Sequence, residues 1–418
     1  MRLIRTLEHP LPFDARALRK ERRWQYRRAA DRGEAVLGVG CRLLVESDRP
    51  DQALERWREL LMGGGPSMGF LGYDLREPLF GQSGRHPRSG HWPLIRWFVP
   101  EVMVHWVGGR THFHGTDPQA VDVLVQRLST PVPERSMAAW GGWSLSTDKA
   151  AYLRHTAELL EHVQRGDIYE INYCVERRAL LPGRDPHAAF MRACRMTQAS
   201  FAAFHAWDDQ YAICLSPERF LWTAGGRVHC EPMKGTRQRS SDPDADRALA
   251  VELALDPKER AENVMATDVV RNDLSRVAVP GSVIVPELCG IRSTGHVHQM
   301  VSRVEARLED GRAPIDAVLA AFPMASMTGA PKHRAMALID LHEDQRRGLF
   351  SGSFGWCDGA GDVDLNVVIR TVEYDARTGE ARLVTGSALT AACDPEREWE
   401  ECALKASSVI NALGDAGA

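Results

Sequence analysis

Lys234 lies in Glu-Pro-Met-Lys-Gly-Thr-Arg (231–237), between a proline and a glycine-threonine turn. A plain surface charge needs no such setting, and this lysine reads as an amine presented to a reacting partner. Further on, Glu398, Glu401 and Lys405 stand at i, i+3 and i+7, within roughly 60° of one another on a helix of 3.6 residues per turn. Two carboxylates followed by an ammonium on one face suit a hard cation and an anionic ligand held together. A solvated face with a weak Glu401–Lys405 pair, worth about 0.3–0.5 kcal/mol, explains the same letters. A second helix carries Glu259, Glu262 and Asp268. Mg2+ keeps several waters, so one or two carboxylates from each helix suffice for it; ion pairing on a helix surface is the competing explanation.

His296 and His298 are i, i+2 on a predicted strand and face the same side. A zinc pair would require a third ligand nearby, and none is evident. A single histidine acting on a departing hydroxyl is the more natural chemistry, against a hydrogen-bonded core histidine. In Ser-Met-Thr-Gly-Ala-Pro-Lys (326–332), hydroxyls precede a helix start, where an anion can be cradled or the helix merely capped.

These residues must be carried by regular elements. Ser146 or Thr147 caps a helix whose Leu153, Thr156, Leu160 and Val163 recur at helical spacing, and Gly166 ends it. Tyr169, Ile171, Tyr173 and Val175 then alternate with polar residues, the period of a half-buried strand. Strands are predicted at 211–215, 220–223, 227–230, 363–374 and 381–389, and helices at 258–274, 331–341 and 395–413. Asp394-Pro395 supplies a cap and a first-turn proline for the last helix, whose apolar stripe is Trp399, Cys402, Ala406, Ile410 and Leu413. Upstream, a helix at 50–62, a strand-like run at 98–106 and the stretch 43–47 precede a boundary in the proline- and glycine-bearing segment 129–144. The glycine-rich stretch 62–72 lacks the ending of a phosphate-binding loop and reads as a tight turn between strands. Uneven clusters of strands and helices, without strict alternation, give an α+β class, with divisions at 1–140 and 146–414.

Composition narrows the function classes. The 418 residues are 44% hydrophobic and 26% charged, as expected of a globular chain with a sizeable core. With 52 basic against 56 acidic side chains, the net charge of −4 points to neither a nucleic-acid surface nor an acidic tail. The basic run at 16–28 reads as a solvated helix face or arm. No long apolar run marks a membrane span, and no apolar leader opens the chain. Nine cysteines stand singly, without CxxC pairs, which favours reduced thiols and a cytoplasmic protein.

Taken in order, these segments resemble the chorismate-utilising enzymes, and among them the aminodeoxychorismate-forming type. The matching series is Gly-Asp-Ile-Tyr-Glu-Ile-Asn (166–172), Ser-Pro-Glu-Arg-Phe (216–220), Pro-Met-Lys-Gly-Thr-Arg (232–237), 258–263 and Arg-Asn-Asp-Leu (271–274). It continues through His298, 326–332 and Ile-Arg-Thr (369–371) to 394–405. The likeness covers 146–412 closely and the N-terminal part more loosely, through 43–47 and 69–75. A lysine at 234 marks the aminodeoxychorismate type, where anthranilate synthases typically carry alanine. Glu170 stands where water-adding isochorismate and salicylate synthases typically carry a lysine.

The resemblance implies an anthranilate synthase-like fold of antiparallel sheets packed as a sandwich with helices outside. It implies Mg2+-dependent amination of chorismate to 4-amino-4-deoxychorismate. Mg2+ would be held by Glu262, Glu398 and Glu401, and the substrate by Arg370, Lys405, Thr328 and backbone near Gly386. Lys234, if neutral, would add to the ring while Glu218 or His298 protonates the departing hydroxyl. No Gly-x-Cys-x-Gly turn is present, so ammonia would come from a separate glutaminase subunit. The chain leaves no room for a lyase domain, so the product would stop at the amino compound. An anthranilate- or aminodeoxyisochorismate-forming relative, a water-adding synthase and a catalytically silent binding subunit are the alternatives. The stretch 43–47 also resembles a tryptophan-binding region of relatives, with a buried strand as the plain reading. Met324-Ala325, Trp356 and the Gly-Ser-Ala-Leu-Thr end at 386–390 depart from the family pattern.

Overall fold

A computed structural model describes residues 1–414 apart from 83, 88–91, 134–136 and 296. Its strands form two sheets in which the pairings are antiparallel, with twelve described strands in one and ten in the other. The larger sheet runs from Arg2–Leu7 at one edge through Arg23–Ala29, Phe201–Trp207, Gln210–Ser216, Thr371–Asp375 and Glu380–Thr390 to Glu170–Leu180. The smaller runs from Met233–Gln238 through Val297–Arg307, Arg219–Ala224, Val363–Val367 and Ser67–Leu71 to Leu43–Ser47. Both therefore draw strands from either side of the segment 129–144.

Polar side chains tie the sheets face to face. Gln25 of the larger sheet donates to the Gly69 and Gly355 carbonyls of the smaller. Arg27 donates to Asp364 at 2.7 Å and to Asn366 at 3.1 Å. The basic run at 16–28 is thus no solvated arm: Arg23–Ala29 is an interior strand, and Arg27 is 2% exposed. Burying that guanidinium is tolerable because Asp364 and Asn366 satisfy it.

The helices pack on the outer faces over clusters of Leu, Val, Ile, Phe and Trp. Helices Pro50–Met62, Pro257–Ser275, Lys332–His342 and Pro395–Leu413 lie where the hydrophobic spacing places them. In the last, Asp394 accepts from the Glu396 and Arg397 amides and Pro395 occupies the first turn. Cys402, Ala406, Ile410 and Leu413 are buried.

Several local expectations are corrected. Asp148, not Ser146 or Thr147, caps Lys149–Gln164, accepting from the Ala151 amide. Thr147 instead donates to Asp344 at 2.5 Å. The glycine-rich stretch 62–72 joins helix Pro50–Met62 to strand Ser67–Leu71, so it does not link two strands. The run 98–106 is split at Pro100-Glu101 into Ile95–Val99 and Val102–Val107, since proline supplies no ladder donor. The run 363–374 is likewise two strands, Val363–Val367 and Thr371–Asp375, one in each sheet. Strand Glu170–Leu180 is buried on both faces rather than half-buried, because it is an interior strand carrying helices and the site. Tyr169 lies before it and is 61% exposed.

Candidate functional site

Two crossings between the sheets hold the first pair of site residues. Glu218 sits between Gln210–Ser216 and Arg219–Ala224, and Arg370 between Val363–Val367 and Thr371–Asp375. The crossings are bonded by main chain: the Val367 amide donates to the Glu218 carbonyl, and the Leu215 amide to the Arg370 carbonyl, each at 3.1 Å. Arg370 has φ +52°, a left-handed conformation uncommon for a side-chain-bearing residue and frequent at functional sites. Among the described residues no side chain hydrogen-bonds or ion-pairs with its guanidinium. Burial lowers its pKa, and the Glu401 charge counters this.

Lys234 lies in an edge strand, Met233–Gln238, rather than in a turn. Its register shifts between Met233 and Thr236, with Gly235 at φ +86°. A glycine in a left-handed bulge lets the strand bend and re-aim a neighbouring side chain. A Cβ at Gly235 would come within 2.9 Å of Glu259 Oε2. Lys234 Nζ donates to Glu170 Oε1, and the two side chains are 10% and 4% exposed. Burial alone would lower the lysine's pKa, but Glu170, Glu262 and Glu218 together raise it. The resting side chain is therefore an ammonium, against the expectation of a desolvated neutral amine.

Glu218 is buried and accepts a 2.7 Å hydrogen bond from Ser326 Oγ. Burial pushes its carboxyl up to about 7, against the pull of Ser326, Lys234 and Lys405. Glu262, from helix Pro257–Ser275, is also driven to about 7 by burial. Its Oε1 is buried without a hydrogen-bond partner.

Glu398 and Glu401 face the same region from helix Pro395–Leu413. Lys258 Nζ lies 3.3 Å from Glu398 Oε1 and 3.8 Å from Glu262 Oε1, one cation between carboxylates of two helices. Burial raises the Glu398 pKa, as does the neighbouring Glu401 charge. Burial acts on Glu401 in the same sense but is outweighed by Lys405, whose Nζ is 2.6 Å away. Lys405 also donates to the Gly386 carbonyl at 2.8 Å. Gly386 lies against strand Glu170–Leu180 so tightly that a Cβ would approach the Tyr173 carbonyl to 2.9 Å.

Among the described residues no three His, Cys, Asp or Glu side chains, the expected Glu262, Glu398 and Glu401 included, are grouped so as to hold a metal ion by themselves. Mg2+ requires none, since one or two carboxylates and several waters satisfy it. Glu262 Oε1, which lacks a hydrogen bond, and the Lys258 ammonium between Glu262 and Glu398 mark a position where a cation is favourable. The donor set is all oxygen, as a hard divalent cation requires.

Two expected site residues are engaged elsewhere. His298 is buried, with Nδ1 2.8 Å from Ser293 Oγ and Nε2 2.9 Å from Asp246 Oδ1. Both ring nitrogens are thus committed outside the Lys234–Glu218 cluster; His296 lies outside the described residues. Thr328 turns its hydroxyl back to the Met324 carbonyl at 3.0 Å and takes the Asn172 amide on its own carbonyl at 2.9 Å. It holds its turn instead of offering an open anion cradle, and Pro331 at the helix start has no amide hydrogen to offer. Sequence reasoning gave Lys258 no part in the site; its i, i+4 spacing to Glu262 was the available signal.

The cluster can bind a dianion through Arg370, Lys405 and a cation. It can also deliver a proton from Glu218 and present an amine.

A family model described as chorismate binding enzyme matches residues 21–411. Aminodeoxychorismate synthase component 1 of Salmonella typhimurium is 38% identical over 301 residues, 72% of this chain and 65% of that protein. The match thus spans just under two thirds of that relative's length. Anthranilate synthase component 1 of Thermus thermophilus is 32% identical over 372 residues, 86% of this chain and 80% of that protein. The crystal structure of anthranilate synthase component I from Streptococcus pneumoniae superposes with a TM-score of 0.80 at 22% identity. It covers 90% of this chain and 92% of its own. The α+β sandwich is therefore that of these synthases, and the chain belongs to the chorismate binding enzyme family.

Proposed function

We propose that this protein aminates chorismate at C4, giving 4-amino-4-deoxychorismate. The observation that carries this reading is Lys234, an amine buried against Glu170 and flanked by Glu218 and Glu262. These carboxylates hold it as an ammonium, so nucleophilic work requires one of them to take its proton. Arg370 binds the enolpyruvyl carboxylate, assisted by backbone near Gly386, and Lys405 adds positive charge. The turn bearing Thr328 borders the site through Ser326.

Glu262, Glu398 and Glu401 would hold Mg2+, which when bound neutralises the ring carboxylate and draws electron density from the ring. Glu218, protonated near neutral pH, gives its proton to the departing hydroxyl, a role worth typically 10²–10⁴-fold. His298, tied to Ser293 and Asp246, is assigned to holding helix Pro243–Leu255 against strand Val297–Arg307. A separate glutaminase subunit supplies ammonia. Among the described residues no helix is long and apolar enough to cross a membrane, and the unpaired cysteines fit a reducing, cytoplasmic setting.

The test is incubation with chorismate, Mg2+ and an ammonium salt, with products identified by mass and chromatography. The expected product is 4-amino-4-deoxychorismate, and Lys234→Ala should abolish it. Anthranilate as the main product would overturn the assignment in favour of the activity named for the Thermus relative.

A further inference from the structure

Resting on the amination reading, we propose that Glu170 is a further catalytic residue, the base that takes the Lys234 proton before attack and returns it afterwards. An ammonium has no lone pair, so the resting Lys234–Glu170 pair is unreactive until one proton moves. Among the described residues, Glu170 alone contacts Nζ. Glu262 and Glu218 act on it only through charge, and each already has another task in the proposed chemistry.

The placement of Glu170 is rigid. It begins strand Glu170–Leu180 and pairs with Ala330 on one side and Thr390 on the other. The preceding Tyr169 amide donates to the Ala330 carbonyl at 2.7 Å. Gly329 packs so closely over the Glu170 carbonyl that no side chain fits there. A base held this way needs no rearrangement to receive the proton, which lowers the cost of the transfer.

The steps balance. The Nζ proton passes to Glu170, leaving a neutral amine and a carboxylic acid. Nζ bonds to ring C2, the double bonds shift, and the C4–O bond breaks as Glu218 protonates the hydroxyl, which leaves as water. Ammonia then bonds to C4, the double bonds shift back, and the C2–N bond breaks to release Lys234. Glu170 returns its proton to Nζ, and the new ammonium group gives one proton to Glu218. Both carboxyls end as they began.

The variant is Glu170→Gln, close in shape and unable to accept the proton. The charged groups around Lys234 are Glu170, Glu218, Glu262, Glu259 packed at Gly235, Glu401 of helix Pro395–Leu413, and Arg237 on its own strand. Comparing variant with wild type at each pH removes what the two share, and the Glu262 carboxyl, which the Glu170 charge raises, moves down in the variant. At pH 7.5 kcat should fall about 10²–10⁴-fold with KM little changed. The ratio of variant to wild-type kcat should climb between pH 7 and 9.5, as solvent takes over removal of the amine proton.

A second readout needs no turnover. At pH 7.5 acetic anhydride should label Lys234 more slowly in Glu170→Gln than in wild type, scored by peptide mass mapping, because acylation needs the same proton removed; faster labelling would overturn the proposal. A variant within threefold of wild-type kcat, beside an inactive Lys234→Ala, overturns the proposal. So does a loss that is equal at all pH values with unchanged labelling, the mark of a structural role. If the wild type makes no 4-amino-4-deoxychorismate, the amination reading fails, while the labelling arm still decides whether Glu170 holds the proton.

Discussion

Ser326 Oγ donates a 2.7 Å hydrogen bond to Glu218 Oε1, joining the turn before helix Lys332–His342 to a crossing between the two sheets. This bond favours the ionised carboxylate, while burial acts first and more strongly to raise the pKa to about 7. Ser326→Ala should therefore raise it further. In the proposed role of proton donor, Glu218 loses activity as pH climbs through its pKa, and the variant should shift that fall to higher pH. The pH profile of kcat checks this; a shift to lower pH would contradict it.

The same carboxyl links pH to stability. Its ordinary pKa is 4.5 and its folded value about 7, so the fold favours the protonated form. Its contribution to stability is complete below 4.5 and is lost as pH rises through 7. Glu218→Gln, permanently neutral, should stabilise the protein at pH 8.5 by up to about 3 kcal/mol, at 1.36 kcal/mol per unit. It should leave stability at pH 4 nearly unchanged. Urea unfolding at the two pH values measures the difference.

Arg370 has a cost of its own, a left-handed backbone and a guanidinium that no side chain among the described residues hydrogen-bonds or ion-pairs. Arg370→Lys keeps the charge but loses the planar fork that matches a carboxylate. Chorismate KM should rise about 10-fold or more, since a charge-assisted hydrogen bond is worth about 1.5–3 kcal/mol, with a smaller change in kcat. Steady-state kinetics with Mg2+ and ammonium separate the two. An unchanged KM would remove Arg370 from substrate binding.

Lys332 is buried, donating to Asp273 at 2.5 Å and to the Ala321 carbonyl at 3.0 Å. Lys332→Met leaves Asp273, 3% exposed, without its main counter-charge. Breaking such a pair from one side costs about 3–5 kcal/mol, whereas the double variant Lys332→Met with Asp273→Leu should cost less than that. Chemical denaturation of the three proteins checks the order.

Much of the fold was legible because helix periodicity and caps are local. The helices at 50–62 and 395–413 follow from spacing, prolines and, in the second, Asp394. Residues 258–274 and 331–341 lie within a residue or so of helix boundaries. Pairing across hundreds of residues left weaker marks. Nothing near Arg23–Ala29 announces Asp364 as the partner of Arg27, so a buried strand read as a basic arm. The run 363–374 shows no break because β-branched residues continue across Arg370, from Val367-Val368-Ile369 to Thr371-Val372; the change of sheet is a tertiary event. At the site, residue types pointed to Lys234, Glu262, Glu398 and Glu401, and the family resemblance to Glu218. They could not show that His298 spends both nitrogens on Ser293 and Asp246, or that Glu170 meets Lys234. Those facts depend on distances between strands, which no single segment encodes.

The twin crossings fix the main-chain spacing of Glu218 and Arg370. With the Val367 amide on Glu218 and the Leu215 amide on Arg370, the proposed proton donor and carboxylate anchor are two marks on one ruler. Substrate choice is then partly a measurement of length: a molecule whose carboxylate and leaving group are spaced differently can reach one mark but not both. Changing that choice would call for a shift of the sandwich itself, which few point substitutions achieve.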